Sequence, residues 1–165
     1  MPSPHRVATA DIILDFELGR LNAGVTGKLP DIAQPAPMFT NWRSQILSAD
    51  GERILDQNIS RFTAGATLYK TRGFYNGAGA PGYVIRLLGS ADVPYLYRDE
   101  ELRDIARCLA HTLKVQFDQW DVWVLFTDSE GRRSLWFADD EKEEKRLYAA
   151  CKRHREAALA RSSSN

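Results

Sequence analysis

Between Gln57 and Ala91 the chain carries no aspartate or glutamate, although 22 acids and 22 bases are spread over its 165 residues. Arg61, Lys70, Arg72 and Arg86 fall in this stretch, with Phe62, Tyr69, Phe74, Tyr75 and Tyr83 among them. Period-two alternation sorts them as strands would. Lys70 and Arg72 share a face with Leu68 and Phe74, Tyr69, Thr71 and Tyr75 take the other, and on the returning run Arg86 goes with Val84 and Leu88. The glycine-rich middle, Asn76 to Gly82, reads as a flexible connector, so the stretch predicts a long hairpin with a mobile tip. A connector of that length leaves the register open. If Lys70, Arg72 and Arg86 lie together on the wet side of a sheet, they form a cationic patch roughly 10 Å wide.

The flanking sequence supplies the remaining elements. Asp50-Gly51 is a two-residue turn signal between Thr40–Ala49 and Glu52–Ser60, which predicts a first hairpin. Asp99 to Phe117 reads as a helix, with Asp99 as its cap, Glu100 and Glu101 in its first turn, and Leu102, Ile105, Ala106, Leu109 and Leu113 as its apolar stripe. Val122–Thr127 and Arg133–Phe137 read as a second hairpin, its first strand apolar on both faces. Asp139 to Arg161 reads as a helix with acids first and bases after, complementing the macrodipole. Over residues 9–24 two templates compete. Leu14, Leu18, Leu21 and Val25 suit a helix capped by Thr9, whereas Ile12, Leu14, Phe16 and Leu18 alternate like a strand; the helix is preferred.

These elements predict an α+β domain: a mainly antiparallel sheet of about six strands in hairpins, with two or three helices on one face. Residues 1–8 form a disordered lead, 9–161 a single domain containing a Pro-rich linker or arm over 27–37, and 162–165 a frayed tail. Hydrophobic residues at 44% and charged residues at 27% are ordinary for such a domain. A formal net charge of zero argues against a surface tuned as a whole to a polyanion, so any nucleic-acid contact is local. The opening residues lead into no apolar run of signal length, and the longest unbroken apolar run, Val122 to Phe126, is too short to span a bilayer, which points to a cytoplasmic protein without membrane contact.

Four constellations bear on function. The hairpin residues Arg61, Lys70, Arg72, Phe74, Tyr75, Tyr83 and Arg86 are the types that nucleic-acid readers place on sheets, cations for phosphates and rings for bases. The same rings also pack well in any strand, and three cations are ordinary on a wet face. The glycine loop is followed by a strand instead of the helix a phosphate cradle needs. Cys108 with His111, and Cys151 with His154, repeat a three-residue spacing on helices, a set that could bind zinc if the last helix packed on the outer side of the helix before it. Otherwise they are one core cysteine, one edge cysteine and two histidines reaching solvent. Asp118 and Asp121 are the nearest thing to a carboxylate pair, and both also suit a helix end and a strand start.

No catalytic signature emerges, so the expectation is a non-enzymatic binding module with no cofactor. It acts through the basic, aromatic hairpin as an inhibitor, an adaptor or an accessory factor, as in the small proteins of phages and mobile elements. A protein partner is slightly favoured, nucleic acid is the alternative, and a small enzyme is the third reading.

Overall fold

A computed structural model describes residues 4–15, 39–41, 46–47, 49–75, 78–117, 122–138 and 144–163. The chain enters at β1 (Ala8–Asp15), where Ala8, Ala10, Ile12 and Leu14 are buried while Thr9, Asp11 and Ile13 face the other way, half-buried. Strand periodicity therefore prevails over the helix expected from residue 9, and the remainder of that expected helix lies outside the described residues. The reason is position: β1 is the central strand and pairs on both sides, with β5 and β6, so its backbone groups are satisfied by the sheet.

Asp50-Gly51 makes no hairpin. Both residues fall in the first turn of helix α1 (Ala49–Phe62), whose Leu55, Asn58 and Phe62 are buried and whose Ile54 and Ile59 are partly so. That spacing of three and four residues is helical. The expected strand partners reduce to β2 (Phe39–Asn41) and β3 (Ile46–Leu47), a separate two-stranded sheet. The expected Pro-rich arm over 27–37 lies outside the described residues.

The long hairpin is present as β4 (Ala66–Tyr75) and β5 (Ala78–Gly89). Its strands stay paired from Ala66↔Leu87 to Tyr75↔Ala78, so most of the presumed glycine connector is strand, and only Asn76 and Gly77, outside the described residues, lie between the paired ends. Directly opposed residues of an antiparallel pair share a face. Lys70 opposes Tyr83 and Arg72 opposes Pro81, whereas Arg86 opposes Thr67. Arg86 thus lies on the opposite face of the sheet from Lys70 and Arg72.

Helix α2 (Asp99–Gln116), strands β6 (Trp123–Thr127) and β7 (Arg133–Phe137), and helix α3 (Glu144–Ser163) complete the domain. The main sheet has five strands, in the order β4-β5-β1-β6-β7, all antiparallel, with three described helices on one side. The small Ala8 and Ala10 let α2 pack closely on β1. Helix α3 then packs on the far side of α2, so α2 is buried on two sides, and Cys108, Ala110 and His111 are covered along with its predicted stripe. Ser162 and Ser163, expected in a frayed tail, belong to α3. Of the residues expected to open the last helix, 139–143 lie outside the described ones.

A line of contacts fixes α3 to α2. Leu147, Cys151 and Ala158 are buried along it, Nε2 of His154 lies 2.8 Å from Oδ2 of Asp104, and Sγ of Cys151 donates to the carbonyl of Asp104 at 3.2 Å. At the far end Arg161 donates to both carboxylate oxygens of Glu101, at 2.6 and 2.9 Å. Burial pushes Glu101 upward, but the bonds from Arg161 and from the Arg98 amide outweigh it and hold the carboxyl below its ordinary value. Where β5 ends, a Cβ on Gly89 would lie 2.7 Å from the carbonyl oxygen of Tyr97, so only glycine admits the 91–97 loop this closely. Tyr97 in turn donates its hydroxyl to the carbonyl of Phe62 at 2.5 Å, anchoring the end of α1.

Candidate functional site

The expected hairpin site does not assemble as a single patch. On the helix-bearing face, Nζ of Lys70 lies 3.2 Å from Oε1 of Glu52 in α1, and the hydroxyl of Tyr83 donates to the same oxygen at 3.1 Å. Tyr83 is a core residue, 2% exposed, and offers no ring to a ligand. On the other face, Arg86 grips Asp11 of β1 with Nε at 2.8 Å and Nη2 at 3.0 Å, and its guanidinium sits over the ring of Tyr69. The bond to Asp11 raises the pKa of Arg86 further. Arg72 is exposed and makes contacts of its own. Phe74 and Tyr75 lie in β4, and their side chains are outside the described ones. The carboxylates that meet Lys70 and Arg86 come from α1 and β1, both outside the acid-free stretch.

Arg61 is placed elsewhere. It sits in the last turn of α1, where that helix and α3 border two adjoining cavities, one of about 320 Å³ completed by the 95–97 segment and one of about 440 Å³ completed by α2. Both cavities are bordered by Arg61, Phe62 and Arg155, and Lys152 borders one. The Cζ atoms of Arg61 and Arg155 lie 5.8 and 5.6 Å from the centre of the same ring, that of Phe62. Among the described residues no carboxylate borders either cavity, and none is ion-paired with Arg61, Lys152 or Arg155. Tyr95, 56% exposed, flanks the opening. Burial pushes the buried Tyr97 phenol up to about 12, which keeps it a neutral donor to Phe62. No pattern within one segment announces this groove, because its walls come from four.

The sulfur and imidazole set is partly brought together. Helix α3 does pack on the outer side of α2, and Cys108 and Cys151, both buried, border the same cavity between them. Neither is the edge cysteine expected, and His111 is buried with its ring 6.1 Å from that of Tyr148. The neighbouring Cys108 and burial together push the Cys151 thiol up, away from the thiolate a metal would need. His154 is engaged by Asp104. Among the described residues no group of three or more His, Cys, Asp or Glu is arranged to hold a metal ion. Asp118 and Asp121 lie outside the described residues.

The sheet face away from the helices is a further candidate surface. It carries Ile13, Val84, Trp123 and Leu125, half-buried, with Leu135 and Phe137 52% and 38% exposed. Trp123 and Phe137 meet edge to face, their ring centres 5.8 Å apart. Aromatic faces of this kind accept apolar rings and cations. No described helix is long and apolar enough to cross a membrane.

No family model matches the sequence, and no curated protein matches it. Among solved structures, the fold is similar to that of a phage SAM lyase in complex with S-methyl-5'-thioadenosine, with a TM-score of 0.50, 13% sequence identity, and coverage of 86% of this chain and 95% of that one. A second structure, of a phage SAM lyase in its apo state, matches with a TM-score of 0.47 and 14% identity.

Proposed function

We propose that this protein is a small enzyme acting on S-adenosylmethionine as a lyase. The observation that supports this reading is the extent of the fold likeness, 86% of this chain and 95% of the phage SAM lyase, which is a correspondence of whole domains. We place the ligand on the sheet face away from the described helices, where Trp123 and Phe137 present π-surfaces suited to a sulfonium cation and an adenine ring. In such a lyase step the bond between sulfur and the amino-acid chain breaks with its electron pair passing to sulfur. The substrate's own carboxylate closes on the carbon released, so no water or oxidant is consumed. The test is to incubate the purified protein with S-adenosylmethionine and follow S-methyl-5'-thioadenosine by liquid chromatography. Turnover lost in a Trp123→Ala variant is the expected result; no product, with no thermal shift from either compound, rejects the reading.

A second reading is the binding module expected from the sequence, and the edge position of β4 favours it. This ten-residue strand ends the sheet, with Tyr69, Lys70, Thr71 and Arg72 exposed along it. A long edge strand is a template for an extended segment of a protein partner. Nucleic acid suits it less, because Lys70 and Arg86 already meet carboxylates and lie on opposite faces. A double variant Tyr69→Asp with Thr71→Asp, losing a stoichiometric protein that the wild type retains on an affinity column, supports this reading, and equal recovery by both rejects it.

A further inference from the structure

We propose that the groove between the C-terminal end of α1 and α3 binds a small phosphate-bearing ligand of nucleotide size, held by Arg61, Lys152 and Arg155. This site lies on the helical side of the domain and does not rest on the lyase reading.

Charge is the first argument. Four cations elsewhere meet carboxylates: Lys70 at 3.2 Å, Arg86 at 2.8 Å, Arg132 at 2.9 Å and Arg161 at 2.6 Å. Arg61, Lys152 and Arg155 are gathered on one groove without any among the described residues. Arg61 does sit where the carbonyl end of a helix dipole welcomes a cation. That end is equivalent to only about half a negative charge, so most of the three positive charges remain uncompensated.

Geometry is the second. Both guanidinium groups rest on the one ring of Phe62, which is itself 5% exposed and tied down through its carbonyl by Tyr97. Two planar forks held on a buried ring are positioned before any ligand arrives, which lowers the entropy lost on binding. The cavities, about 320 and 440 Å³, fall in the range that encloses small ligands. A phosphate ester carries roughly 1.5 to 2 negative charges at neutral pH and accepts bidentate bonds from guanidinium, so it matches this charge better than a single carboxylate does. The exposed ring of Tyr95 at the opening offers a stacking surface for a base.

The experiment is calorimetric titration of the full chain at low ionic strength with adenosine monophosphate, adenosine and inorganic phosphate. The expected result is saturable binding of adenosine monophosphate, at least about tenfold weaker binding of adenosine, and at least about tenfold weaker binding of the nucleotide by Arg61→Gln with Arg155→Gln. Inorganic phosphate binding as tightly as the nucleotide identifies the free anion as the ligand; weaker binding identifies the ester, and each supports the phosphate site. Adenosine binding as well as its monophosphate, or an unchanged double variant, overturns the proposal. If the double variant does not fold, amide shifts of the wild type on adding the nucleotide decide it. Shifts centred on residues 60–64, 95–97 and 152–162 support the site, and shifts elsewhere, or none, overturn it.

Discussion

On the β4–β5 hairpin, Lys70 lies 3.2 Å from Glu52 and Arg86 is held at both nitrogens by Asp11, whereas Arg61 and Arg155 lean on the ring of Phe62 in a groove that no carboxylate lines among the described residues. The hairpin lies wholly in the acid-free stretch of the sequence, yet two of its cations, Lys70 and Arg86, meet carboxylates. Coulomb interactions act through space, and the carboxylates that matter arrive from β1 and α1, which the fold lays alongside. Helix α3 carries six bases against two acids, and it presents Lys152 and Arg155 to a groove with no acid among its described lining residues. A cation with a carboxylate partner contributes to the fold. A cation grouped with others of its sign detracts from it, and its presence is better explained by what it binds.

The largest effect is expected at the contact that holds the groove's far wall. Glu101→Gln removes the charge that accepts two bonds from Arg161 and one from the Arg98 amide in a mostly buried setting, and should cost about 2–3 kcal/mol in urea unfolding. Because α3 carries Lys152 and Arg155, phosphate binding should fall with it. The pH dependence has a fixed sign. The Glu101 carboxyl is held below its ordinary 4.5, so its contribution is complete above that value and disappears as pH falls through the lowered one. The wild type should therefore lose stability on acidification below 4.5 more steeply than the glutamine variant. Parallel curves would show that Arg161 does not secure α3 by charge.

Next in size is Asp11→Asn. Arg86 is 45% exposed at its side chain while Asp11 is 15% exposed, so water screens the pair in part. The loss should be about 1 kcal/mol by thermal or urea unfolding, in keeping with a bidentate pair at the surface. By contrast Arg61→Gln with Arg155→Gln should leave stability unchanged within about 0.5 kcal/mol, or raise it slightly, because two like charges are relieved. A loss in the groove variant equal to that at Asp11 would erase the distinction between a structural and a binding cation.

The parts of this fold that were legible were those whose signal is local. Helix α2 and the β6–β7 hairpin follow from an apolar stripe and from alternation within a few residues, and both appear close to the expected bounds. Helix α1 was obscured because Asp50-Gly51 resembles a hairpin turn, while Leu55, Asn58 and Phe62 carried the helical spacing. The equivalent dipeptide, Asn76-Gly77, was hidden by the glycines after it, although the β4–β5 register leaves these two residues alone between the strands. Strand β1 was ambiguous because Leu14 fits both periods, and only its central place in the sheet decides between them. The groove was illegible for a different reason. Arg61, Tyr95 and Arg155 lie on separate segments, and no one-dimensional pattern records that packing α3 on α2 brings them together.

The smallest effect expected is at Lys70. Its side chain is 66% exposed and that of Glu52 39%, so ordering two long side chains offsets most of the attraction between them. Lys70→Gln should change stability by less than about 0.5 kcal/mol, and moderate salt should remove even that. The same substitution sharpens the contrast between the two regions through binding. If the hairpin is neutral as a surface, Lys70→Gln leaves the affinity for adenosine monophosphate unaltered while the groove variant lowers it, both measured in one calorimetric series. A fall in affinity at Lys70 comparable to that at Arg61 and Arg155 would mean that Glu52 does not silence this cation, and that proximity to a carboxylate is too weak a criterion for separating the cations that hold this fold from those that serve it.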